Sequence, residues 1–221
     1  MTTNDNAKRM AEKKLAEKKE KAAEMEKTAR GPFAPVYPVL AERFHRESNL
    51  KNGLCIDIGS GGAQLGLEIG EISDFNIIAF DINEHALEYA RENAESKGLG
   101  DKFSVLCGDV QQLPLESNSV DLIVSRGALW FWPDGAKSFG EIYRILKPEA
   151  KAFIGCGFGT IEIFDAVVEQ MESFRPEWNS MRQKLFKDNP VELFEGYLKS
   201  ANIKDYIIEE TTSDRWIILT K

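Results

Sequence analysis

The sequence predicts a doubly wound α/β fold: a mostly parallel, seven-stranded sheet with helices on both faces and an antiparallel hairpin at its C-terminal end. Three observations carry this. From residue 54 onward, short apolar runs alternate with longer segments of helical periodicity. A glycine turn, "IGSGGA", joins the first such run to the first helical segment. The closing stretch, "DYIIEETTSDRWIILTK", reads as two extended runs about a polar turn at Thr212 to Asp214.

Taken in order, residues 5–30 are rich in Ala, Glu and Lys, with Glu-to-Lys pairs at helical spacing. Met10, Leu15 and Met25 are too sparse for an apolar stripe, so this segment is expected to be a solvated helical arm spanning residues 1–30. Gly31-Pro32 breaks it. The following "FAPVYPVLAERFHRE" groups Phe33, Val36, Tyr37, Val39, Leu40 and Phe44 into a docked turn and a short amphipathic helix. Strands are predicted at about 54–58, 76–81, 103–107, 120–125 and 151–157, separated by helices at about 62–72, 84–97 and 134–146. Residues 159–203, with Phe164, Met171, Phe174, Trp178, Met181 and Phe186, form one or two helices expected to cover the ligand-bearing end of the sheet. Residues 31–221 are thus expected to be one domain, a size that buries a single core.

Composition excludes several chemistries. His45 and His85 are the only histidines, so a zinc site or a histidine-based triad has little to draw on, and no metal is expected. Cys55, Cys107 and Cys156 each lie in or at the end of an apolar run and read as buried free thiols. The net charge of -8 divides into +3 on residues 1–30 and -11 on the rest, and an acidic body is a poor partner for nucleic acid. No apolar run approaches the roughly 20 residues of a membrane helix, and the charged N-terminus is unlike a signal peptide. A cytoplasmic protein with no membrane partner is the expectation.

The glycine turn decides the ligand. A dinucleotide fingerprint needs glycine at the first, third and sixth positions, but the run from Gly59 reads Gly-Ser-Gly-Gly-Ala-Gln, with Gln64 in the last place, which opposes a nicotinamide enzyme. Asp57 stands just ahead of the turn, where a pyrophosphate would not welcome it. Asp81 ends the second strand, where a carboxylate accepts hydrogen bonds from ribose hydroxyls, and Asp109 follows the third in "CGDVQQLP", where it can meet an adenine amine. Three carboxylates at three successive strand ends, around a turn without a basic residue, describe a nucleoside ligand that carries positive charge.

These segments resemble the class I S-adenosylmethionine-dependent methyltransferases, of the small-molecule type typified by the ubiquinone and menaquinone biosynthesis enzymes, over roughly residues 53–158. "CIDIGSGGA" is similar to the family's first motif and "AFDIN" to its ribose-binding second. "GDVQQLPLESNSVDLIVSRGALWFWPD" is similar to the adenine-side third and the fourth strand, and "FGEIYRILKPEAKAFIG" to the helix and strand that follow. The resemblance implies a Rossmann-like fold binding S-adenosylmethionine, with S-adenosylhomocysteine as product. It implies that Asp57, Gly59, Ser60 and Gly61 border the methionine part, Asp81 and Ile82 the ribose, and Asp109 with Val110 the adenine. Arg126 would face the reactive end.

Three departures stand out, one of them Leu129-Trp130-Phe131-Trp132 where many members of the family carry a histidine-rich segment after the fourth strand, which bears on acceptor chemistry. Ala63 occupies the place of the family's third glycine, and Glu149-Ala150 replaces a Gly-Gly before the fifth strand, which reads as a surface turn. Methyl transfer from a sulfonium is an in-line displacement, in which the protein's work is alignment. The acceptor is expected to be a small molecule held against Trp130, Phe131 and Trp132, with Tyr37, Arg126 and Trp130 as the candidate catalytic residues. Replacing Trp130 with Ala should then raise the acceptor's KM while sparing cofactor affinity. The Gly155–Gly159 run is expected to allow close passage of backbone. A non-catalytic cofactor-binding module of the same fold is the alternative.

Overall fold

A computed structural model describes residues 3–221. Seven strands form one sheet: β1 (Asn52–Ile58), β2 (Asp74–Asp81), β3 (Phe103–Cys107), β4 (Val120–Arg126), β5 (Leu146–Cys156), β6 (Tyr206–Glu210) and β7 (Arg215–Thr220). Their order is β3-β2-β1-β4-β5-β7-β6, and β7 alone runs against its neighbours. The predicted mixed sheet with its antiparallel closing hairpin is therefore observed. The chain leaves β1 toward β2 and β3 on one side and later fills β4 and β5 on the other. A crevice opens between β1 and β4 at their C-terminal ends, where open α/β sheets bind ligands.

Among the described residues eight α-helices accompany the sheet: α1 (Thr3–Arg30), α2 (Val36–Ser48), α3 (Gln64–Ile72), α4 (Glu84–Ser96), α5 (Gly135–Ile145), α6 (Ile161–Phe174), α7 (Trp178–Asp188) and α8 (Val191–Ser200). Alternation along the strands sorts side chains between the two faces. Ile56 and Ile58 of β1 pack with Phe139 and Ile142 of α5 and Phe194 of α8. Cys55 of the same strand turns to the opposite face, with Val36, Leu40 and Phe44 of α2 and Phe164 and Val167 of α6. The sequence's amphipathic segment is thus a structural helix: Phe44 stacks on Phe153 at 4.5 Å and meets Trp216 edge-on at 4.9 Å.

The region expected to hold one or two covering helices forms three, and they part company. α6 and α8 pack on opposite faces of the sheet, and only α7 sits at the strand ends, where Trp178 meets Phe33 and Phe158. Glu149 is exposed, as expected, but the chain there belongs to a strand and not to a loop before it. The residue lies inside β5 at φ 66°, a left-handed bend that explains why glycine suits this position, and its N–H donates to the Lys221 carbonyl. The glycines beyond it behave as expected, since a Cβ at Gly155 or Gly157 would collide with β7 at Trp216. Of the three thiols only Cys55 is buried. Cys107 is exposed because it ends the edge strand β3, and Cys156 is half-buried at the end of β5. No helix among the described residues is long and apolar enough to cross a membrane.

Candidate active site

The turn after β1 is held by its own backbone. Gly59 and Ser60 N–H groups both donate to the Phe80 carbonyl at the end of β2, at 2.7 and 3.1 Å. The Gly61 N–H donates to Asp81 Oδ2 at 2.9 Å, and Asp81 Oδ1 accepts from the Asn83 N–H at 2.8 Å. Gly59 and Gly61 have φ of 69° and 56°, which side chains rarely adopt. A Cβ on Gly59 would strike Ala128, so the loops after β1 and β4 touch there. Gly61 and Gly127 are different: a Cβ on either meets nothing within 4 Å, leaving an open cradle at the β1/β4 switch. Ala63 retains the turn by itself taking the left-handed conformation, at φ 62°, while its N–H donates to Ser60 O at 2.8 Å. An alanine there costs roughly 1 kcal/mol that glycine would not, without changing the shape.

Asp57 lies beneath this turn, buried, with Oδ2 accepting the Gly66 N–H of α3 at 3.0 Å. A side chain on Gly66 would press on it, with a Cβ 3.2 Å from that of Asp57. Burial pushes its carboxyl up to about 7, against the lowering effect of the Gly66 hydrogen bond and with help from nearby Asp81. Next to Asp81, Ile82 is 67% exposed, an apolar side chain left open at the end of β2. Asp109 is exposed and caps a 3-10 turn at Val110–Gln112, accepting from the Gln111 N–H at 2.9 Å, while Val110 turns into the core. The carboxylates of Asp81 and Asp109 thus stand at adjacent strand ends, in register, since Asp81 pairs with Cys107.

Arg126 and Tyr37 are brought together. The Arg126 guanidinium lies 5.5 Å from the Tyr37 ring and 4.8 Å from Phe33, and its Nε donates to the Gly157 carbonyl at 2.9 Å. Burial raises the Tyr37 pKa; Arg126 opposes this, and Asp57, Glu26 and Cys156 add to it. Tyr37 therefore keeps its proton near neutral pH. The aromatic wall after β4 does not exist as one surface. Trp130 packs against Phe186 and Phe194 at 5.3 and 5.8 Å, Trp132 against Phe139 at 5.6 Å, and Phe131 is 69% exposed under Lys21. A 3-10 turn at Leu129–Phe131 spreads consecutive side chains by about 120°, which a reading of the string alone misses.

The N-terminal arm is a helix as expected, yet it is not merely solvated. Its second half docks across the glycine turn: Ala22 and Glu26 are buried, and Glu26 accepts from Asn93 Nδ2 at 2.9 Å and from Gln64 Nε2 at 3.3 Å. The Lys18 carbonyl accepts from Asn83 Nδ2 at 3.0 Å, and Glu24 pairs with Arg175, the residue that ends α6 as its C-cap. Gly62 is required for this contact, because any Cβ would collide with the Glu26 carboxylate. The available signal was the small pair Ala22-Ala23, four residues ahead of a glutamate in an otherwise charged run. α1 therefore adds a third carboxylate to the turn, beside Asp57 and Asp81.

Residues 56–154 match the family model described as a methyltransferase domain. A Methanococcus maripaludis protein assigned as an S-adenosyl-L-methionine-dependent methyltransferase superposes with a TM-score of 0.88 at 39% identity, over 92% of this chain and 93% of that one. Phosphoethanolamine N-methyltransferase 2 of Haemonchus contortus, solved with S-adenosyl-L-methionine, superposes with a TM-score of 0.59 at 25% identity, over 78% of this chain and 38% of its own. Among curated relatives, sterol 24-C-methyltransferase of Aspergillus fumigatus is 31% identical over 118 residues, which is 52% of this chain and 31% of the relative. A hydroquinone methyltransferase of Oryza sativa, acting on the 2-methyl-6-phytyl-1,4-hydroquinone of its name, is 33% identical over 89 residues, 40% of this chain and 24% of its own. The matched stretch spans less than a third of the length of these curated relatives. With a cradle that fits the family's motifs and a relative alike from end to end, the chain belongs to the S-adenosylmethionine-dependent methyltransferases.

Proposed function

We propose that this protein transfers a methyl group from S-adenosylmethionine to a small-molecule acceptor. The observation that carries the reading is the open cradle over Gly61 and Gly127, with Asp57 buried beneath it, the carboxylates of Asp81 and Asp109 at the neighbouring strand ends, and no lysine or arginine on the turn itself. Bound there, the cofactor supplies an electrophilic methyl on a sulfonium sulfur. Asp81 has lone pairs left after its two backbone hydrogen bonds and is suited to ribose hydroxyls, while exposed Ile82 offers apolar contact and the backbone of core-facing Val110 borders the adenine that Asp109 would meet. Gly59, Ser60 and Gly61 bring backbone to the methionine part, and Asp57 and Glu26 favour its positive charge. Residues 31–221 act as the transferase unit, with α1 as a cover over the cofactor.

The acceptor's lone pair forms the bond to the methyl carbon, the carbon–sulfur pair remains on sulfur, and any acceptor proton leaves to solvent. This chain aligns the partners and excludes water. Tyr37, held protonated, cannot act as a base, which suits an acceptor atom that is already nucleophilic at its working pH. The non-catalytic alternative loses its best support, because Ala63 preserves the turn. Calorimetric titration with S-adenosylmethionine and S-adenosylhomocysteine, repeated on Asp81→Ala, tests the reading. Micromolar binding that the mutation abolishes supports it, and a folded protein that binds neither overturns it.

A further inference from the structure

Beside the cradle, the end of β4, the start of β7 and the helix α7 gather three guanidinium groups, Arg126, Arg215 and Arg182, into one aromatic cluster. The Phe158 ring lies 5.2 Å from Arg126 and 5.5 Å from Arg182, and the Phe186 ring lies 4.5 Å from Arg182 and 4.7 Å from Arg215. Arg126 and Arg182 thus share the Phe158 ring, and Arg182 and Arg215 share the Phe186 ring, in one cluster that joins the end of β4 to α7. Arg182 and Arg215 are only 7% and 3% exposed. Arg215 pairs with Glu210, whereas neither Arg126 nor Arg182 has an ion-pair partner among the described residues. The nearby carboxylate, Asp214, accepts the Phe158 N–H at 2.9 Å.

Stacking on rings engages the flat face of a guanidinium and leaves its in-plane N–H groups unserved. Some of these find carbonyls: Arg126 Nε reaches Gly157 O, and Arg182 Nη2 reaches Thr212 O at 3.0 Å and Ser213 O. Others do not. Arg126 Nη2 and Arg182 Nε are buried with no acceptor, as is the neighbouring Trp216 Nε1. Buried cations with orphaned donors are costly unless something negative and hydrogen-bonding completes them. Burial lowers the Arg182 pKa, Cys156 and Asp214 oppose this, and Arg126 and Arg215 add to it. Arg126 directly precedes Gly127 of the cradle, and its guanidinium lies 5.5 Å from the Tyr37 ring.

We propose that the methyl acceptor is an organic anion whose oxyanion group, a carboxylate or a phosphate monoester, is held by Arg126 and Arg182 with its apolar part against the half-buried ring of Phe33. This rests on the methyltransferase reading. It narrows the acceptor to one that a guanidinium fork recognises, a chemistry that a neutral sterol or quinol nucleus does not present.

The test uses the full chain saturated with S-adenosylhomocysteine, titrated with benzoate, inorganic phosphate and neutral benzamide and followed by the arginine Nε–H NMR signals. Saturable binding of benzoate or phosphate that shifts the Arg182 Nε–H signal, with benzamide at least tenfold weaker, is expected. Benzoate alone identifies a carboxylate acceptor, and phosphate alone a phosphate monoester. Arg182→Gln should weaken the anion at least tenfold with S-adenosylhomocysteine affinity retained. Because Arg182 also anchors the β6–β7 turn, Arg126→Lys, which keeps the charge but loses the fork, serves as the second variant and should weaken it severalfold. Equal binding of benzamide, no saturable binding of either anion, or unchanged anion affinity in a folded variant would overturn the proposal. Absence of S-adenosylhomocysteine binding in the same sample would instead sink the reading beneath it.

Discussion

Replacing Asp57 with Asn isolates the cost of keeping a carboxylate under the glycine turn. The substitution is nearly isosteric, and the amide oxygen can still accept the Gly66 N–H that now sits 3.0 Å from Asp57 Oδ2. Burial lifts the carboxyl from 3.8 to about 7. Between those values the folded protein holds a proton that the unfolded chain has released, so stability falls as pH rises through this window and stays reduced above it. At about 1.4 kcal/mol per pH unit, the full cost is about 4 kcal/mol at pH 8 and only about 1 kcal/mol at pH 4.5. The stability of Asp57→Asn relative to the parent should therefore improve by about 3 kcal/mol between these two pH values. Urea unfolding followed by tryptophan fluorescence measures it, since Trp216 is fully buried. Comparing variant with parent cancels the other titrating groups. The same proton predicts that affinity for the cationic cofactor rises with pH toward about 7 in the parent and is weaker and flat in the variant. A stability gap that changes by less than about 1 kcal/mol across the range would mean that Asp57 ionises as an ordinary aspartate, and the electrostatic account of the turn would be wrong.

Asp81→Ala should reduce S-adenosylhomocysteine affinity at least a hundredfold by calorimetry. Its cost in stability should be about 1–2 kcal/mol, because the Gly61 and Asn83 N–H groups lose an acceptor at a solvent-accessible edge. Glu26→Ala strips the acceptor from buried Asn93 and from Gln64; hydrogen exchange in the second half of α1 should accelerate about tenfold or more, with weaker cofactor binding alongside. Trp130→Ala should lower stability by about 2–3 kcal/mol as its packing on Phe186 and Phe194 is lost, rather than act mainly on the acceptor's KM. A folded, fully stable variant with a raised KM would restore the aromatic-wall reading.

The sheet was legible because period-two and helical patterns survive in a string, and because β1 to β4 each end on a marked residue or turn: Gly59, Asp81, Asp109 and Arg126. Register did the rest, placing Asp81 opposite Cys107 and hence near Asp109 without any long-range information beyond strand order. Local geometry was less visible. Nothing in "LWFW" announces a 3-10 turn that sends its three rings in three directions, and the left-handed conformations of Ala63 and Glu149 show only where glycine would have been expected.

By itself, the sequence determined the fold class, the strand ends that bear carboxylates and the absence of a basic residue from the glycine turn, because these depend on patterns within short windows. Tertiary structure alone decided which helices cover the site. α1 reaches Asn93 with a carboxylate 67 residues away in the chain, and Arg126, Arg182 and Arg215 meet around Phe158 and Phe186 from three separate elements. Such contacts arise from how the finished sheet folds its flanking helices over one edge, and burial there turns ordinary surface charges into unpartnered donors and a carboxyl poised near neutrality.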